Sequence, residues 1–362
     1  MSSGEEAQEN ELLEEGTGKF DKNEVFAEEA IPKQSLTKDI IAECIGMPYR
    51  LGYGFSHAFV KLDASDRNLL DINVLREYIH LRFIILSNNY ISDISPCSVI
   101  GHLIYLKADN NQITDAGCLN SLRFLQFLDL SGNKLTKITN LSFPLLQHLK
   151  VNDNMISSIQ DESGKGFDVN QLPALHTLEL RRNQLTTLKG LGQLSNLRSL
   201  YCAENMISST AGVEGLASLV RFHARNNQLK KLDGFENWSG PLEYLNLRDN
   251  KVTSYNVFRV LKSAPCLKMV SFLGNPIVNS EGYRKIALGM LPHLQRLDKV
   301  RTTDQEREEA MAYFKAHPVD DDISRSSAGV ELPAKNSAGA GSRSRSGMSD
   351  TSQASKSSQR EE

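Results

Sequence analysis

Apolar residues recur along this chain in a fixed short pattern. The clearest copy is Leu125-Gln-Phe-Leu-Asp-Leu-Ser-Gly-Asn-Lys-Leu135. Leu128 and Leu130 lie two apart, so in a short strand they face the same way, while Phe127, Asp129 and Ser131 face the other. Asn133 falls where the chain turns out of the strand. Its amide both donates and accepts, which the backbone groups of a buried turn require. Leu135 then returns to the apolar side. One such unit cannot bury its own apolar face and needs copies stacked on either side.

The copies are present. Their asparagines are Asn89, Asn111, Asn133, Asn154, Asn183, Asn205, Asn227, Asn250 and Asn275, and the first two intervals are 22 residues each. The pattern is the signature of leucine-rich repeats. It predicts an α/β solenoid: a curved stack with a parallel concave sheet and helical caps at both ends. So short a period leaves little room for a helix on the convex side, so 3₁₀ or irregular turns are expected there.

The same pattern sets the expected organisation. Residues 1–34 are glutamate-rich with few large apolar residues and should be disordered. Residues 35–54 should form a capping helix over Leu36–Ile45, with Ser35 or Thr37 as N-cap, followed by a turn-rich link from Tyr49 to Gly54. Residues 55–280 hold one degenerate repeat, Phe59 to Leu69, and nine regular ones. In the degenerate unit Arg67 stands where the asparagine belongs, as suits a terminal repeat. The spacing rises to 29 between Asn154 and Asn183, and the extra residues fall near the polar, glycine-rich stretch from Gln160 to Asp168. A tolerated loop is the reading favoured there. Residues 281–300 should close the apolar end of the stack, with a helix from about Glu281 to Gly289. Thr303-Asp-Gln-Glu306 reads as a capping box opening a helix to Ala316, within 301–317. Residues 318–362, serine-rich and without aromatics, should be disordered.

Charge and cysteine content change this picture little. The formal net charge is −3, which disfavours nucleic acid as a partner. The five cysteines show no Cys-x-x-Cys spacing and read as free thiols; Cys202 takes an inward strand position. No signal segment or membrane-spanning run is visible, so a soluble intracellular protein is expected. There is no phosphate-binding glycine loop and no His-Glu-x-x-His metal spacing. His102 and His176 read as surface residues. An open solenoid serves recognition more often than catalysis. No enzyme, cofactor, small-molecule substrate or membrane contact is expected.

Candidate binding residues are those between the inward leucines, which project from the concave sheet. Phe83, Tyr105 and Phe127 occupy the same place in successive repeats and should form a ladder of rings. Such a ladder stabilises the sheet by itself and also offers anchors to a partner. Further along stand Arg181, Arg182, Arg221, Arg225 and Arg248, interleaved with Tyr201, His223 and Tyr244. Glu179, Glu204 and Asp249 lie near enough to neutralise part of this group. The rest would suit an acidic partner segment.

Some stretches depart from the repeat consensus: Leu36-Thr-Lys-Asp39, Ser56-His-Ala-Phe-Val-Lys-Leu62, Tyr78-Ile-His-Leu-Arg82, Leu106-Lys-Ala-Asp109, Leu175-His-Thr-Leu-Glu-Leu-Arg181 and Arg296-Leu-Asp-Lys299. With the cap motif Leu291-Pro-His-Leu-Gln-Arg-Leu-Asp298, they resemble the intracellular short-repeat proteins, and among these the radial-spoke proteins of motile cilia and flagella. The resemblance runs from about Leu36 to Lys299. It implies a non-catalytic scaffold of the axoneme, cytoplasmic and cytoskeletal, in or near a spoke head and touching other radial-spoke proteins. After Lys299 the chain departs from the longer glutamate-rich tail that the resemblance implies. The repeats alone also allow a phosphatase-regulatory subunit or a ribonucleoprotein scaffold using the same concave face.

Overall fold

The computed structural model describes residues 32–50 and 57–317. It opens with β1 (Gln34–Ser35), α1 (Lys38–Cys44), β2 (Ile45–Arg50), β3 (His57–Asp63) and β4 (Leu69–Asp71). Each later repeat contributes one three-residue strand: β5 (Phe83–Ile85), β6 (Tyr105–Lys107), β7 (Phe127–Asp129), β8 (His148–Lys150), β9 (Thr177–Glu179), β10 (Ser199–Tyr201), β11 (Arg221–His223) and β12 (Tyr244–Asn246). Then follow α2 (Asn256–Leu261), β13 (Met269–Ser271), α3 (Tyr283–Met290), β14 (Arg296–Leu297), β15 (Val300–Arg301) and α4 (Asp304–Ala316). The strands from β3 to β14, β4 apart, form a parallel sheet in chain order, and β2 and β15 close its ends as antiparallel partners of β3 and β14.

The inward column of the sheet is Leu62, Ile84, Leu106, Leu128, Leu149, Leu178, Leu200, Phe222, Leu245, Val270 and Leu297, each sealed from solvent. Two residues on runs a second buried column, in which Ala224 follows Phe222 and Ala64 follows Leu62. A large residue in one column is thus accommodated by a small one in the other, keeping packing dense without overfilling. Cys202 lies in this second column and is buried, and the apolar surroundings push its thiol far up.

The asparagines lock the turns. Asn133 Nδ2 donates to Leu130 O and Ser131 O of its own repeat and to Ala108 O of the one before. Its Oδ1 accepts from Ile113 N at 2.9 Å. Asn89, Asn111, Asn154, Asn183, Asn205, Asn227 and Asn250 repeat this set. The residue just before each asparagine is left-handed, from Asn88 (φ 56°) to Gly274 (φ 74°). Asn, Asp and Gly dominate these positions because they tolerate that backbone.

The exception at Arg67 follows from its place. No earlier repeat needs an amide from it, and its own N–H donates to Asn89 Oδ1 at 3.1 Å. The guanidinium instead meets Glu43 of α1 at 2.9 Å. At the far end the Asp298 side chain takes the bond that elsewhere goes to the next strand's backbone carbonyl. One carboxylate oxygen accepts from Phe272 N at 2.7 Å and the other from the Tyr283 hydroxyl at 2.8 Å.

Four expectations need correction. Residues 45–50, expected to end a helix and enter a link, are strand β2: Pro48 and Tyr49 pair with Phe59 and Ala58. Gln34 lies in a strand, pairing with Leu69. The long stretch after Asn154 is not wholly a surface loop, because Phe167 and Leu172 are buried in the core. A second lengthening, to 25 residues between Asn250 and Asn275, houses α2, an α-helix that buries Phe258 on the convex side. Elsewhere the convex turns are short, with 3₁₀ segments at Asn73–Glu77, Ser95–Val99 and Gly117–Ser121. The expectations for 1–31, 51–56 and 318–362 lie outside the described residues.

α4 begins at Thr303, whose hydroxyl accepts from Glu306 N at 3.2 Å. Arg284 of α3 forks onto the Glu306 carboxylate and also donates to Leu297 O at 3.1 Å. Gly289 lets the two helices touch: a Cβ there would stand 2.5 Å from Phe314 Cβ and 2.9 Å from Ala310 O.

Replacing Asn133 by Ala should lower stability by about 2–5 kcal/mol, since several buried backbone groups each lose a partner worth about 1–3 kcal/mol. Urea unfolding with hydrogen exchange checks this; an unchanged midpoint would contradict the ladder's role. Gly289→Val should release α4 alone, seen as faster amide exchange across 304–316 with strand protection unchanged.

Candidate functional site

The outer face of the parallel sheet carries three side-chain rows in register. The first runs Phe83, Tyr105, Phe127, His148, Thr177, Ser199, Arg221, Tyr244 and Met269. The second runs Ile85, Lys107, Asp129, Lys150, Glu179, Tyr201, His223 and Asn246. The third, two residues further, holds Asp109, Arg181, Arg225 and Arg248.

The predicted ladder of rings is present, with uneven geometry. Tyr105 and Phe127 stack at 4.4 Å and 7°. Phe83 is tilted against Tyr105 at 6.4 Å, and His148, which the sequence reading omitted, continues the ladder beyond Phe127 at 6.1 Å. His148 occupies the same repeat position as the three rings, so the signal was available. Phe83, Tyr105 and Phe127 are half-buried, whereas His148 is exposed. Burial raises the Tyr105 hydroxyl above its usual range and the Asp129 carboxyl likewise. Beside the ladder the charges are matched: Lys107 with Asp109 at 3.6 Å, and Lys150 with Glu179 at 3.2 Å.

The arginine group is not one stripe, because repeat position separates its members. Arg221 is in the first row, whereas Arg181, Arg225 and Arg248 are in the third. Arg182 sits at the left-handed turn (φ 49°), hydrogen-bonded to Asp153 and 3.9 Å from Glu204. Arg225 pairs with Asp249 at 3.1 Å. Arg181 lies over the Tyr201 ring at 4.8 Å.

A second aromatic stack crosses the rows. His223 lies 4.6 Å from Tyr201 and 4.7 Å from Tyr244, stacked on both. Desolvation between the rings, with Arg181 and Arg221 nearby, lowers the imidazole to about 3. His223 is therefore neutral at physiological pH, and its stack carries no charge.

Further apolar side chains escaped the sequence reading. Phe124, 48% exposed, stacks on His102 at 5.6 Å where the chain enters its strand. Phe59, 50% exposed, extends the face toward β2. By contrast, a depression of about 640 Å³ lined by Gln160, Lys165, Lys189, Gln193 and Glu214 lies among the turns, away from the rows. Among the described residues no group of three or more His, Cys, Asp or Glu side chains is placed to hold a metal ion, and no helix is long and apolar enough to cross a membrane.

Together the repeats, the asparagine-locked turns and the open ringed face define a leucine-rich-repeat solenoid, a class built for protein–protein interaction. A family profile described as "Leucine Rich repeats (2 copies)" matches residues 101–143. Leucine-rich repeat-containing protein 23 of Bos taurus is 39% identical over 296 residues, covering 76% of this chain and 78% of that one. The chain belongs to the leucine-rich repeat-containing protein 23 family. A shorter match, 34% over 74 residues, covers 20% of this chain and 17% of leucine-rich repeat-containing protein ODA7 of Chlamydomonas reinhardtii. Among solved structures, the TLR13–ssRNA13 complex aligns with a TM-score of 0.51 at 23% identity, covering 67% of this chain and 36% of that one; this shows the fold alone.

The depressed His223 value has a signed consequence. An unfolded chain takes up this proton near pH 6.5, while the folded chain resists until about pH 3. The stability contribution is present above about pH 6.5 and is lost as pH falls from there toward 3. An imidazole NMR titration should show no His223 transition between about pH 5 and 8; a midpoint near the free value would contradict the stack.

Proposed function

We propose that the protein is a non-catalytic scaffold of the ciliary or flagellar axoneme, a radial-spoke component that binds other spoke proteins through its concave face. The observation that carries the recognition mode is the run of rings in register, half-buried Phe83, Tyr105 and Phe127 and exposed His148, on a sheet fixed by the asparagine ladder. Ordering such rings on binding costs little entropy, because the sheet already holds them. Family membership and the off-consensus stretches support the axonemal setting. The stacked Tyr201, His223 and Tyr244, with the arginines around them, form a second contact region that orients the partner.

A tagged full-length chain in ciliated cells, extracted with detergent and then high salt, tests this. It should stay with the doublets and cross-link to spoke proteins through β5 to β8 and β10 to β12. Phe83→Ala, at the loosest ring of the ladder, should weaken retention about tenfold while the melting temperature stays near wild type. Release by detergent, or cross-links confined to the convex turns, would remove the reading in favour of another partner class.

A further inference from the structure

The concave face is electrically asymmetric. Around β5 to β9 Lys107 is matched by Asp109 and Lys150 by Glu179. From β9 onward the rows and the strand-entry edge carry Arg181, Arg198, Arg221, Arg225, Arg248 and Arg296, against Glu204, Glu243 and Asp249. Part of this charge is matched: Arg225 by Asp249, and Lys268, at the same edge, by Glu243; Arg221 and Arg248 also have partners of their own. The excess on this half is nonetheless positive. It surrounds aromatic surface, with Tyr201 and Tyr244 flanking the uncharged His223.

The same chain carries the complementary chemistry. Residues 1–31 hold nine glutamates and Asp21 against only Lys19 and Lys22, with Leu12, Leu13, Phe20 and Phe26 between them. This is the composition that a basic surface with apolar rings selects. We propose that the acidic segment 1–31 occupies the arginine-rich half of the concave face, over β10 to β12, and competes there with the outside partner. This rests on the concave face being the partner-binding surface.

Reach permits it. Gln34 is anchored by its pairing with Leu69 at the first repeat. From β3 to β11 is seven strand steps, or about 34 Å at roughly 4.8 Å per step. A segment of this length can span up to about 100 Å. Tethering gives the segment an effective concentration on the order of millimolar, so a weak contact is enough for occupancy. A partner must then displace it, and a partner more acidic than the segment is favoured. The ringed half over β5 to β8 is the poorer seat, since its Lys107 and Lys150 are already paired with Asp109 and Glu179.

The test compares two full-length chains: wild type, and one in which the nine glutamates of 1–31 are changed to Gln. The probe is a labelled synthetic peptide of residues 1–31, followed by fluorescence anisotropy. The neutralised chain should bind the peptide about tenfold more tightly than wild type, because its own segment no longer competes. Binding should weaken as salt rises from about 0.05 to 0.3 M, where screening shortens the range of the charges. Arg221→Glu with Arg248→Glu in the neutralised chain should abolish it, with the melting temperature recorded alongside. Equal binding by the two chains, or binding indifferent to the arginine reversals, overturns the proposal. A peptide that binds neither chain also overturns it, yet leaves the scaffold reading standing if spoke cross-links at β5 to β8 persist. Normal peptide competition with no axonemal retention does the reverse.

Discussion

One side-chain amide holds the architecture together. Each repeat asparagine bonds backwards to the preceding turn as well as to its own, so no turn is complete without a neighbour. The buried backbone of a tight turn would otherwise have no partners, and water cannot reach it. This explains why the repeat tolerates almost any outward residue but keeps the asparagine. It also explains why the two places without a usable asparagine are both at ends. At the first, Arg67 bonds to the capping helix; past the last, the Asp298 carboxylate, held by Tyr283, serves the final strand in place of a backbone carbonyl.

That constraint fixes the register of the outer rows. Because the turn sets where each strand begins, equivalent positions fall opposite one another along the sheet. A ring in one repeat therefore meets a ring in the next without any further specification. The face has two aromatic clusters with different electrical settings, one among matched lysines and acids, the other among arginines. In the second cluster His223 stacks between Tyr201 and Tyr244, where burial and the nearby Arg181 and Arg221 all disfavour its charged form.

Period and polarity made the repeat frame legible in the sequence: the inward columns, the asparagines, and the rings at 83, 105 and 127. The α4 capping box was legible as well, because it depends on Thr303 and the nearby Glu306. What was not legible depended on contacts between distant residues or on small shifts of position. Ile45 looked like the end of a helix and Tyr49 and Arg50 like part of a link, and only pairing with β3 makes this stretch a strand. Phe167 sat in a polar stretch, and its burial follows from packing against turns on either side. The arginines looked like one group because sequence proximity does not reveal whether neighbours sit in the first row, the third row or a left-handed turn. His148 was legible from register alone, since it holds the repeat position of the three rings.

The antiparallel strands at both ends have a meaning of their own. A long parallel sheet ending in bare strands would be a template for another chain, growing into fibres. Here β2 presents Pro48, which has no N–H to offer, and Met47 in a left-handed kink (φ 57°), while β15 is only two residues long. Both rims are thereby poor templates for a further strand. Among the described residues the parallel array therefore begins and ends at defined rims, and anything seated on the concave face meets its repeats in a fixed order.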